Sequence, residues 1–202
     1  MKRYAATLLA LALPCAAAQP GAQIAVGDTI VHPGVPAYPA ALAERGIQGR
    51  VLVRVTVDGA GKAAAVAVSE SSRAPELDRA ALAMARAWPY APAGKGGAPA
   101  EVLVGIRFSK DSPGTIPDKT CADFNIDKAW FTATFPERKA TDMEVVQIAR
   151  DNVQFTLPGP QQMPYARAKD AVAAASIAAC ASQPREKLFA VMQREAAKLP
   201  QR

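Results

Sequence analysis

From Gly49 to Val57 the chain alternates without a break. Val51, Val53, Val55 and Val57 fall on one face, and Arg50, Leu52, Arg54 and Thr56 on the other. That period of two predicts a strand with one buried face. Asp58-Gly59-Ala60-Gly61 follows, a turn signal, and then Ala64, Val66 and Val68 resume the alternation, so the two runs read as a hairpin. After Ser71-Ser72 the period changes. Leu77, Ala81, Met84 and Trp88 lie along one helical stripe, with Ser72 as the expected N-cap, Pro75 in the first turn and Pro89 as the stop. From Glu101 to Phe108 the alternation returns. Val102, Val104, Ile106 and Phe108 are predicted inward, and Glu101, Leu103, Gly105 and Arg107 outward. Ahead of these elements, Pro39 to Arg45 reads as a short helix closed by Gly46. One amphipathic helix over a three-stranded antiparallel sheet buries the apolar side of each, a two-layer α+β unit.

The order and spacing of several short pieces resemble the C-terminal domain of the TonB family. The pieces are Tyr38-Pro39, Gly46-Ile47-Gln48-Gly49, the valine strand, Val57 to Lys62, Ser71-Ser72, Leu77 to Leu82, Trp88 to Ala93, Gly97 and the final strand. The resemblance implies a periplasmic binding domain that takes a short extended segment of an outer-membrane transporter, the TonB box, as an added strand. An open sheet edge carries unpaired N–H and C=O groups that supply such binding. By motif the edge is the last strand, with Glu101, Leu103, Gly105 and Arg107 as its outward residues. The same edge is a candidate for homodimer formation.

The remaining chain divides around this unit. Residues 1–18 read as a cleaved export signal: Lys2 and Arg3, an apolar run from Ala5, and Ala16-Ala17-Ala18 as the cleavage site. Pro14 stands before Cys15, which disfavours a lipoprotein, and the apolar run is short for a membrane span. Residues 19–37 read as an irregular lead-in without the Glu-Pro or Lys-Pro repeats of a long TonB spacer. Residues 109–119 are polar and turn-rich, the expected linker.

Residues 120–202 resemble no family and read as mainly helical. Ala129 to Phe135 fits a strand or a helical turn equally. Thr141-Asp142-Met143-Glu144 has the form of a capping box before a short helix. Val153, Phe155 and Leu157 alternate like a strand. Pro164 and Pro184 are expected to open two helices, the first alanine-rich to about Ser182 and the second carrying Leu188, Met192 and Leu199 on one side.

Composition narrows the function further. The chain carries a net charge of +6, or +4 without Lys2 and Arg3. The basic residues are scattered and form no stripe with aromatics, so nucleic acid is not an expected partner. His32 is the one histidine, and no CxxC, HExxH or GxSxG motif is present, so neither an enzyme, a metal site nor a cofactor is expected. Asp123 and Asp127 lie four apart, the spacing of an exposed helix face. With Cys15 lost, Cys121 and Cys180 remain; in an oxidising compartment the pair suggests a disulfide, two buried thiols being the alternative. Two functions follow. One is a TonB-like periplasmic protein binding a transporter segment by strand addition. The other is an envelope module that binds peptidoglycan or another periplasmic protein without energy transduction.

Overall fold

The computed structural model describes the backbone of residues 22–25 and the full structure of residues 38–92 and 99–200. The expected signal peptide, His32 and the stretch 93–98 ahead of the last strand lie outside the described residues. The elements are β1 (Ala22–Ala25), α1 (Ala40–Glu44), β2 (Gly49–Val57), β3 (Ala63–Glu70), α2 (Pro75–Ala87), β4 (Ala100–Phe108), α3 (Cys121–Thr134), α4 (Glu144–Thr156), α5 (Gly159–Ser182) and α6 (Leu188–Ala197).

The three-stranded antiparallel sheet is present, with β2 central between β3 and β4. All four inward valines of β2 are fully buried. They pack with Leu77, Ala81 and Ala85 of α2, and with Val104, Ile106 and Phe108 of β4. Hydrophobic burial of this kind contributes about 25 cal/mol per Å², so these side chains are the main source of the unit's stability. Asp58 closes the hairpin by accepting from the Ala60 and Lys62 amides, both at 2.9 Å. Gly61, at φ +76°, faces the Tyr90 carbonyl oxygen; a Cβ there would lie 2.3 Å from it, so only glycine fits. Ser72 does not cap α2. Its hydroxyl donates to Asp78 at 2.8 Å, and Ala74, followed by Pro75, occupies the N-cap.

A fourth strand was not anticipated. β1, within the expected irregular lead-in, pairs antiparallel with β4, giving the order β1-β4-β2-β3. Four residues, with one large apolar side chain among them, carry too little pattern to be told from loop.

The helical region builds a second core on Phe124, Val146, Ala149, Val153, Tyr165, Leu188, Val191 and Met192. Ala129 to Phe135 resolves as helix, continuing α3 to Thr134. Val153, Phe155 and Leu157 do not form a strand. Val145, Ala149 and Val153 make a helical stripe, the helix runs through Thr156, and Phe155 points outward at 82% exposure. The helix after Thr141 forms as expected, but Met143 is its N-cap; Asp142 instead accepts from the Lys139 amide in a preceding 3-10 turn. α5 begins at Gly159, with Pro160 in the first turn and Pro164 inside the helix. α6 begins at Leu188, four residues after Pro184. The intervening segment bonds back to the start of α3, Cys121 N to Glu186 O at 2.7 Å and Leu188 N to Lys119 O at 3.0 Å. Cys121 and Cys180 are disulfide-bonded, joining the start of α3 to the end of α5. Residues 109–119 are ordered and packed: Ile116 is fully buried in the second core, and Lys119 is 5% exposed.

Candidate functional site

The edge of β4 is built by the regularity of its pairing with β2. All nine residues, Ala100 to Phe108, pair in one unbroken register from Val57 back to Gly49. A regular strand presents the backbone groups of every second residue along its other side without interruption, which is what an incoming strand requires. β3, at the other end of the sheet, is different. Its pairing with β2 shifts register between Leu52 and Val53 and again between Thr56 and Val57. Such bulges twist an edge and blunt it against further pairing.

β1 lies along half of the β4 edge. Ala22, Gln23, Ile24 and Ala25 stand opposite Phe108, Arg107, Ile106 and Gly105. The four residues read from the sequence as the partner edge therefore divide. Gly105 and Arg107 are opposite β1, while Glu101 and Leu103 lie beyond it. The expectation that the last strand is the outermost one is corrected along residues 105–108, where β1 pairs; among the described residues, nothing pairs with the outer side of residues 100–104. Leu103 is 53% exposed there, and Glu101 forms an exposed ion pair with Arg54 at 3.5 Å. Gly105 is covered by the Arg50 side chain, whose Nη2 would lie 2.9 Å from a Cβ at that position. Arg107 is ion-paired with Glu144 at the start of α4.

The Arg107–Glu144 pair belongs to a joint between the two cores. Gly46, at φ +70°, ends α1 and receives α3 so closely that a Cβ would sit 2.7 Å from the Asp127 Cα. Asp127 is 1% exposed and takes Lys119 at 2.6 Å and Lys110 at 2.7 Å. Lys119 also reaches Asp111 at 2.9 Å and Asp123 at 2.7 Å, and Lys110 reaches Asp123 at 2.6 Å. The pair Asp123 and Asp127 is thus no solvated face. Burial opposes the charge on Lys119, but Asp127, Asp111 and Asp123 outweigh it and raise its pKa. Burial works against the Asp123 carboxylate too, yet the two ammonium groups outweigh it and lower its pKa. For Asp127 burial prevails over Lys119 and Lys110 and raises the pKa. Tyr38, raised by burial and then by Asp127 and Asp111, stays a hydroxyl and donates to the Ile47 carbonyl. No sequence pattern announces this cluster, because its members come together only when the linker folds against α3.

Beside the joint runs a cleft of about 440 Å³, walled by Arg50 and Arg107 of the sheet, Glu70 to Ser72, and Trp130, Phe131 and Phe135. Next to Ser72, the Arg73 guanidinium lies 4.8 Å from the Phe135 ring centroid and 2.8 Å from Glu137. Among the described residues there is no group of His, Cys, Asp and Glu suited to a metal, and no helix long and apolar enough to cross a membrane.

Residues 34–109 match the family described as Gram-negative bacterial TonB protein C-terminal. The chain is similar to Protein TonB of Xanthomonas campestris pv. campestris (strain B100), 40% identical over 70 residues, which are 35% of this chain and 30% of that protein. It is also similar to Protein tonB2 of Pseudomonas aeruginosa PAO1, 38% identical over 66 residues, 33% of this chain and 24% of that protein. The chain thus spans under a third of the length of the curated relatives it matches. No solved structure matches.

Proposed function

With a TonB C-terminal domain over residues 34–109 as the premise, we propose that this protein works in TonB-dependent outer-membrane transport, binding an extended transporter segment as an added strand along β4. The observation that carries the reading is the contrast between the two sides of the sheet. β4 is regular over nine residues and already accepts a strand along Gly105–Phe108, whereas β3 is interrupted by two register shifts. Main-chain hydrogen bonds supply the affinity in this mode, and the outward side chains of the edge, Leu103 among them, supply selectivity. The protein acts in the periplasm as a binding protein rather than an enzyme.

The second reading, an envelope module that binds peptidoglycan or another periplasmic protein, is favoured by the cleft. It places arginine, carboxylate and aromatic side chains around one space, a surface that strand addition does not use.

The test places prolines in the ligand and leaves the protein intact. A synthetic extended segment from the plug end of a transporter is titrated into the full chain by calorimetry, alongside copies with single prolines at successive positions. Strand addition predicts an alternating pattern, since only every second residue donates to the ladder. Equal tolerance at every position, or no heat with any peptide, would sink the reading.

A further inference from the structure

β1 comes from the stretch just ahead of the domain, and it lies on the edge assigned above to the partner. It lies opposite residues 105–108, and among the described residues nothing pairs with the outer side of residues 100–104. This inference rests on that assignment. We propose that Ala22–Ala25 is a built-in first occupant of the docking edge. An incoming extended segment enters at the free half of β4, then displaces β1 residue by residue towards Phe108. The partner such an edge fits is a segment that can pair over nine residues and so outcompete a strand of four.

Three observations support the arrangement. The β1 register is antiparallel and unshifted, so its backbone groups meet the edge as a ligand strand's would. Its four residues, Ala-Gln-Ile-Ala, carry no charge and no proline, so nothing in them opposes pairing. Residues 26–37 tether it directly to Tyr38, where the domain core starts. A short tether holds a strand at an effective concentration on the order of millimolar, enough to occupy an edge that a free peptide of the same length would leave empty. The same arithmetic keeps the occupant exchangeable. Four pairs form few hydrogen bonds, each worth only about 1 kcal/mol net.

The experiment uses two variants of the full chain. Gln23→Pro removes a ladder donor from β1, because Gln23 stands opposite Arg107, whose backbone groups face β1, whereas those of Ile106 and Phe108 face β2. Ala25→Cys with Gly105→Cys places a thiol pair at directly opposed positions, where antiparallel Cα separations of about 4.5–5.5 Å fall within disulfide reach. The added side chain at Gly105 meets only the mobile end of the exposed Arg50. The probe is a labelled peptide copying residues 20–27, titrated by fluorescence anisotropy. We expect Gln23→Pro to bind it about tenfold tighter or more than the wild type. The oxidised double variant should bind at least about tenfold more weakly than the same protein after reduction. Peptide mapping should show the 25–105 cross-link within one chain. Equal affinity across all three proteins, binding to none of them, or failure of the thiols to cross-link would overturn the proposal. If a transporter segment binds neither the wild type nor Gln23→Pro while the self-copy peptide binds Gln23→Pro, the transport reading fails and the built-in occupant stands.

Discussion

Replacing Gly46 with alanine tests whether α3 is seated against the first unit as described. At φ +70° a residue with a Cβ is strained by roughly 1–2 kcal/mol. The new Cβ would also lie 2.7 Å from the Asp127 Cα and 2.9 Å from its amide nitrogen. Both are backbone atoms of a helix, so no side chain can swing away and α3 itself must shift. Overpacking of this kind costs about 1–3 kcal/mol. The loss of glycine's freedom in the unfolded chain returns about 0.4–1 kcal/mol. The net expectation is a destabilisation of about 2–4 kcal/mol, read from urea unfolding followed by circular dichroism. Asparagine at the same position separates the two costs, because it tolerates positive φ but keeps the Cβ. Gly46→Asn should therefore still lose about 1–3 kcal/mol by overpacking alone. If Gly46→Asn is neutral, backbone strain accounts for the whole effect and the close seating of α3 is wrong.

Three further outcomes follow from the same structure. Removing the Cys121–Cys180 bond, which spans a sequence separation of 59 residues, should cost about 4 kcal/mol by chain entropy and lower the urea midpoint of the Cys121→Ser/Cys180→Ser variant; an unmoved midpoint would refute it. Leu77→Ala, at a fully buried site between α2 and the sheet, should lose about 2–5 kcal/mol in the same assay, against no measurable loss for Phe155→Ser at the exposed end of α4. Stability should fall above about pH 10: Lys119, Tyr38, Tyr90 and Tyr165 all have folded pKa values raised above those of the unfolded chain, the last two to about 12, so their contribution is full below the unfolded values and is lost as pH rises through the folded ones. On the acid side Asp123, lowered, loses its contribution as pH falls through its folded value, while Asp127, raised, contributes most in acid and less as pH rises, so that limb is shallow. Urea midpoints flat from pH 9 to 11 would contradict this assignment.

The elements readable in the sequence are those with a long, clean period. The β2 valines, the α2 stripe from Leu77 and the inward face of β4 are set by burial on one side, which fixes the spacing of apolar residues. Shorter patterns misled. Val153, Phe155 and Leu157 alternate over five residues, too few to outweigh the helical stripe from Val145. β1 has no pattern long enough to show, and so the half-covered edge was invisible. Residues 109–119 read as a polar linker because charge reads as solvent exposure. Lys119 is buried there only because Asp111, Asp123 and Asp127 meet its ammonium group, a convergence that depends on how α3 docks. Of the residues assigned to the proposed edge, Leu103 and Glu101 were placed outward by strand alternation and on an edge by the family resemblance. The division between them and the covered Gly105 and Arg107 needed the topology.

The most direct test of strand addition is backbone amide exchange of the full chain, mapped residue by residue, with and without a saturating extended transporter segment. The account predicts new protection at Ala100–Val104, extending towards Phe108 as β1 is displaced, with no change along Ala63–Glu70. Protection confined to β3 or to residues lining the cleft, with β4 unchanged, would contradict it.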